Sequence, residues 1–202
     1  MQSLAALPNV PLRPGGAVTA QCQALGLTDF HSAVWYVYQL PYGRTSDRSN
    51  YQLVLHEGRG SCSSKHALLA QLATEQGLRI ALTLGIYRMT ERNTPGVGAV
   101  LAQYGLPYMP EAHCYLTYNG IRVDVTRSGV EPVEPISDFL YEETIIPEQI
   151  DEYKVALHRR FLQKWLAGSA WAGTRTLAEL WQIREACIAA LSTRGEGGGR
   201  VP

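Results

Sequence analysis

Cys62 follows the stretch Gly58-Arg59-Gly60-Ser61 and opens a run of apolar residues at helical spacing, while His113 and Asp124 lie on either side of an Asn119-Gly120 pair. A thiol, an imidazole and a carboxylate are the groups that nucleophilic acyl chemistry needs. The thiolate attacks, the imidazole carries the proton, and the carboxylate fixes the imidazole's tautomer. Ser61 is an N-cap residue by type, which places Cys62 in the first turn of a helix. There the unpaired backbone N–H groups and the positive end of the helix dipole favour thiolate over thiol. Asn119-Gly120 is the dipeptide of a two-residue hairpin turn. Counting back from it pairs Tyr118 with Ile121, Tyr115 with Asp124 and His113 with Thr126, which sets His113 diagonal to Asp124 at hydrogen-bonding reach. The glycines at 58 and 60 allow a tight turn and a close approach of substrate backbone to the thiol.

Other side chains compete for roles near these three. His66, one helical turn beyond Cys62, shares its face and is the rival base; a side chain so placed normally lies beneath the thiol as support. Lys65 is a candidate for holding a thiolate or a substrate carboxylate, against the plainer expectation of a solvated first-turn lysine. Glu111 and Tyr115 fall on the His113 face and are candidates to line a substrate cleft. The backbone N–H of Cys62 is one oxyanion donor, and spacing does not choose between Tyr51 and Gln52 for a second. A metal held by Cys62, His66, His113 and Asp124 is chemically allowed. The paired spacing of zinc ligands is absent, however, and a helix N-terminus disfavours a cation, so neither a metal nor another cofactor is expected. Cys22, Cys114 and Cys187 read as small buried hydrophobes, and His31, His56 and His158 as structural or exposed.

The elements that must position these groups follow from periodicity. The chain has 202 residues, 46% of them hydrophobic, with 18 Lys and Arg against 18 Asp and Glu. A chain of this length buries about 70% of its unfolded surface and needs no disulfide or metal staple. Zero net charge argues against nucleic acid as a partner. The absence of a long apolar run or a leader-like start argues against a membrane, and a cytoplasmic location is expected. Residues 1–27, rich in Pro and Gly at first, read as an arm. A helix is expected from a Thr28 cap to Leu40, then a polar loop, then a strand or irregular chain at Tyr51–His56. The Ser61-capped helix runs to Gln76 and stops at Gly77, with Leu68, Leu69, Leu72 and Ala73 as its buried stripe. Ile80 to Ile86 alternates as a half-buried strand, a loop follows to Pro110, and the hairpin occupies Glu111–Thr126. Beyond a Pro-punctuated connection the rest reads as helical, with a stripe from Ile150 to Trp165 and a capping box at Thr176-Leu177-Ala178-Glu179. The expectation is an α+β domain: a catalytic core over 28–134, a helical extension over 135–193 and a flexible tail over 194–202.

Three blocks of this sequence resemble the transglutaminase-like superfamily of papain-fold cysteine enzymes. Gly60-Ser61-Cys62 looks like the opening of its central helix. Glu75-Gln76-Gly77-Leu78-Arg79-Ile80 through Gly85 looks like its helix-to-strand passage, and His113 with Asp124-Val125-Thr126 like its histidine and aspartate strands. The resemblance implies a central helix packed on a small antiparallel sheet. It implies Cys62 as nucleophile, His113 as base and then acid, Asp124 as orienting carboxylate, and a thioester on the way. The expected substrate is a peptide or small amide, with hydrolysis ahead of acyl transfer because water is always present. Two other readings stand beside it: an acyltransferase similar to the arylamine N-acetyltransferases, on the triad and Arg59-Gly60, and a binding or scaffold protein that keeps the fold without turnover.

Overall fold

The computed structural model of the chain describes residues 4–128 and 134–195. Its helices are α1 (Ala17–Ala24), α2 (Phe30–Gln39), α3 (Leu53–Glu57), α4 (Cys62–Glu75), α5 (Gly98–Gln103), α6 (Glu152–Ala167) and α7 (Leu177–Gly195). Its strands are β1 (Ala81–Met89), β2 (Met109–Tyr118), β3 (Ile121–Val123) and β4 (Phe139–Ile145), in an antiparallel sheet of order β3-β2-β1-β4. The fold is thus mixed α+β with a small sheet. Among the described residues no helix is long and apolar enough to cross a membrane.

The chain divides into two compact units, one of Met1–Leu84, His113–Gly129 and Glu143–Asp151, the other of the intervening segments and everything after Asp151. Both are discontinuous in sequence, and β1, β2 and β4 each contribute residues to both.

In the first unit α4 is the central element, and α1, α2 and α3 all pack on it. Ser61 caps it as expected, in a reciprocal box with Ser64, and Gly77 turns the chain out with φ 68°. Leu68, Leu69, Leu72 and Ala73 are fully buried, and the burial extends around the first turn to include Ser63, Ser64, Lys65 and His66. The hairpin turn forms as expected, with Tyr118 paired to Ile121 across Asn119 (φ 49°) and Gly120 (φ 77°), but the ladder ends at Leu116 with Val123, so the expected pairs of Tyr115 with Asp124 and His113 with Thr126 lie beyond it.

Three expectations are corrected here. The arm contains α1, whose Val18, Thr19 and Cys22 are buried. Gly16 offers no side-chain cap, and the cap comes instead from Glu75 of α4, whose carboxylate accepts from the Val18 and Thr19 N–H groups and the Thr19 hydroxyl. The cap of α2 is Asp29 and not Thr28, with Ser32 N–H donating to its carboxylate at 2.9 Å. The stretch Tyr51–His56, read as strand or irregular chain, instead leads into a helix over Leu53–Glu57, one and a half turns ended by Gly58 at φ 64°.

In the second unit α7 packs on both α5 and α6. Thr176 and Glu179 make the expected capping box at the start of α7. The region after the hairpin is not all helical, because Phe139–Ile145 is a strand. Phe139 lies where a Cβ on Gly85 would stand 2.3 Å from its ring, so the glycine makes the space this strand needs. α5 forms inside the segment expected as a loop. The expected boundary at 134 and 135 adjoins residues 129–133, and most of the expected tail is 196–202; both segments lie outside the described residues.

Candidate active site

Cys62, His113 and Asp124 all belong to the first unit. Cys62 occupies the first position of α4 and is 9% exposed. His113, 6% exposed, projects from β2, and its Nε2 hydrogen-bonds Asp124 Oδ2 at 2.7 Å. That bond leaves Nδ1 for the thiol, and the Cys62 side chain acts on the imidazole through both charge and a hydrogen bond. Burial alone would make His113 harder to protonate. The negative charges of Asp124 and Cys62 and the hydrogen bonds from both outweigh it, and the pKa is pushed up to about 10. The arrangement favours the imidazolium form of His113.

Asp124 follows β3, and its side chain remains 38% exposed. Its Oδ1 accepts from the Thr126 N–H at 2.8 Å and from the Thr126 hydroxyl, so both carboxylate oxygens are in use. Burial raises its proton affinity, but the His113 charge and hydrogen bond, the neighbouring His66 and the Thr126 hydroxyl hold it well below the usual carboxylate range. Asp124 is therefore an acceptor with a fixed direction.

Lys65, His66, Glu111 and Tyr115 are all buried, and none presents an open surface to a substrate. His66 is fully buried. Its Nδ1 meets the Cys62 carbonyl at 2.7 Å and its Nε2 accepts from the Val125 N–H at 2.8 Å. These partners fix the tautomer with the proton on Nδ1 and leave no nitrogen for the thiol proton. Burial pushes its pKa down to about 4, against the pull of Asp124, so the ring is neutral at ordinary pH. The rival base is thus a link in the core. Lys65 is fully buried too, contrary to the solvated lysine expected. Its ammonium donates to the carbonyls of Leu40 (2.5 Å), Thr126 (3.1 Å) and Val125 (3.5 Å). Burial lowers its pKa to about 8, with Asp124 opposing and Arg127 adding to the fall.

Tyr115 is 2% exposed and stacks on the His113 ring, centroids 6.2 Å apart and planes 23° from parallel. It forms a wall that holds the imidazole plane and does not line an open cleft. Glu111 belongs to the second unit, where both of its oxygens are bound by Arg184. Cys114 points away from His113 as expected, yet its thiol approaches Ser63 Oγ at 3.7 Å, the hydroxyl that also lies 3.9 Å from Cys62 Sγ. Of the two second oxyanion candidates, the Tyr51 hydroxyl turns to Glu148 and the Gln52 carbonyl accepts from Gln21. No group of three or more His, Cys, Asp or Glu among the described residues has an arrangement fit to hold a metal ion.

Reading from the sequence missed the grip of Lys65 and His66 on residues 125 and 126. Their acceptors and donor are backbone groups from distant segments, and no side-chain spacing announces them. Thr126, two residues after Asp124, was legible in principle, since an aspartate commonly binds the backbone N–H two positions on.

Comparison with family models, with curated proteins and with solved structures finds no match for this chain.

Proposed function

We propose that the chain is a cysteine enzyme of transglutaminase-like type that opens an amide or other acyl bond through Cys62, His113 and Asp124. The observation that carries this reading is a single buried imidazole bonded on one side to a carboxylate at 2.7 Å and facing, on the other, a thiol in the first turn of a helix. A structural histidine has no need of both partners.

In the proposed reaction the Cys62 thiolate adds to the carbonyl carbon, with the Cys62 backbone N–H as a donor to the developing oxyanion. The His113 imidazolium gives its proton to the leaving nitrogen, the C–N bond breaks and an amine departs, leaving a thioester. Neutral His113 then takes a proton from water, the hydroxide oxygen attacks the thioester carbon, and the C–S bond breaks to return the thiolate and release a carboxylic acid. Asp124 holds the imidazole in one tautomer throughout. A peptide or small amide is the proposed substrate. Water is the proposed acceptor, because hydrolysis requires no second binding site.

Alkylation of each cysteine by iodoacetamide, followed by mass spectrometry from pH 5 to 9, tests this. Cys62 is expected to react first and to keep its lead at pH 6, because His113 stays protonated up to about 10. Cys22 and Cys187, whose thiols burial pushes up to about 11, are expected to remain unmodified at pH 8. Asp124→Asn and His113→Ala are each expected to slow Cys62 at pH 6 by about tenfold or more. A Cys62 no faster than Cys187 overturns the assignment and leaves a binding role as the better account.

A further inference from the structure

The first turn of α4 carries two polar side chains that are fully buried and reach the same short segment. Lys65 donates to the carbonyls of Val125 and Thr126, and His66 accepts from the N–H of Val125. These contacts bracket the two residues immediately after Asp124. We propose that Lys65 and His66 are positioning residues that clamp residues 125 and 126 to the nucleophile's own helix and so aim the Asp124 carboxylate at His113. The inference rests on the cysteine-enzyme reading for its significance in catalysis, though the clamp itself is a matter of geometry.

Three features make this more than ordinary packing. Asp124 follows β3, a strand of only three residues, so the sheet holds it weakly. Its Oδ1 is turned back onto Thr126, so the direction of Oδ2 toward His113 follows from where Thr126 is held. His66 also bonds the Cys62 carbonyl, so one neutral ring ties the backbone of the nucleophile to the backbone beside the acid. Space for the lysine is provided as well: a Cβ on Gly60 would stand 2.8 Å from Lys65 Cγ. The glycine before the cap thus accommodates the clamp, a role that a flexible turn does not explain. An ammonium with three hydrogens facing three carbonyls, and an imidazole with one donor and one acceptor both used, leave no polar capacity idle.

The test uses full-length His66→Gln, His66→Asn, His66→Phe and Lys65→Met, alone and combined with Asp124→Asn. Two readouts are taken: the His113 ring titration by NMR, and the Cys62 alkylation rate by iodoacetamide at pH 6. Glutamine can set an oxygen where Nε2 lies and keep the Val125 bond, whereas asparagine reaches only the Nδ1 side. The expected result is that His66→Gln stays within about twofold of wild type. His66→Asn, His66→Phe and Lys65→Met are expected to lower the His113 pKa by about one unit or more and to slow alkylation about tenfold. With Asp124→Asn already present they are expected to add almost nothing, because they act through that carboxylate. Should Phe or Met prevent folding, the Gln and Asn pair, close in size and polarity, decides the matter. Equal behaviour of Gln and Asn, or losses that add fully to that of Asp124→Asn, overturns the clamp. The His113 titration reads the clamp whether or not Cys62 turns over, and the wild-type preference of iodoacetamide for Cys62 separately reads the enzyme.

Discussion

Replacing Glu111 by Gln removes a charge from a pair that the second unit encloses almost completely. Arg184 Nε and Nη2 meet the two Glu111 oxygens at 2.9 and 2.6 Å, and the side chains are 6% and 10% exposed for Glu111 and Arg184. Breaking such a pair by removing one partner costs about 3–5 kcal/mol, because the remaining charge is stranded without solvent. Glu185 still accepts from Arg184 Nη1 at 2.6 Å and is 35% exposed, which leaves the guanidinium one partner and puts the cost near the lower end. A loss of about 3 kcal/mol is a large part of the ~5–15 kcal/mol that holds a domain together. With a slope of about 2 kcal/mol per molar urea, the midpoint falls by about 1.5 M. Tryptophan fluorescence is a suitable probe, since the Arg184 guanidinium lies 5.1 Å over the Trp181 ring. The double variant Glu111→Met with Arg184→Met is expected to regain most of the loss, because it removes both charges of the enclosed pair and the Glu185 carboxylate it releases is 35% exposed to solvent. The pH dependence has a definite sign. Burial opposes ionisation of Glu111, but Arg184 outweighs it and holds the carboxyl below its ordinary value of 4.5. Its stabilisation is therefore present above that value and lost as pH falls below it, so the gap between wild type and Glu111→Gln narrows in acid. A midpoint shift under about 0.3 M for Glu111→Gln, or a double variant as weak as the single one, refutes the reasoning.

Two further outcomes follow from packing. Glu75→Ala deprives the first turn of α1 of its acceptor for the Val18 and Thr19 N–H groups; a loss of about 1–2 kcal/mol in thermal unfolding is expected, with earlier proteolytic nicking before residue 24. Gly85→Ala forces a Cβ to within 2.3 Å of the Phe139 ring; a loss of about 1–3 kcal/mol is expected, partly recovered by Phe139→Leu in the same urea assay.

What was legible in the sequence is what short-range chemistry specifies. Ser61 caps α4, Gly77 ends it and Asn119-Gly120 turns the hairpin, and each of these signals lies within a few residues of its effect. The nearness of His113 and Asp124 belongs in part to the same class: the hairpin turn starts it, but the ladder ends at Val123 and the last step to Asp124 depends on contacts beyond the strand. What was not legible depends on distant partners. The start of α1 carries no capping side chain of its own and borrows Glu75 from 57 residues away, so its sequence reads as loose chain. Lys65 looks like a surface lysine because its acceptors are backbone carbonyls of α2's end and of the segment after β3. Glu111 sits on the alternation expected of a cleft residue, and only the tertiary position of Arg184 gives its carboxylate another use. β4 carries aromatic and acidic residues without clean alternation, and the space for it is made at Gly85.

The lengths of chain spanned by these contacts also order the site in time. The His113 and Asp124 side chains are joined across 11 residues, through a hairpin of the kind that closes in about 1–10 microseconds. Lys65 reaches Thr126 across 61 residues, and His66 reaches Val125 across 59, so those closures wait for collapse around α4. During synthesis Cys62 leaves the ribosome well before His113, which lies 51 residues further along the chain. The pairing of imidazole with carboxylate then precedes the arrival of both at Cys62. On the proposed reading a half-folded chain holds an ordinary cysteine, and the enhanced reactivity expected at that sulfur would mark a finished fold.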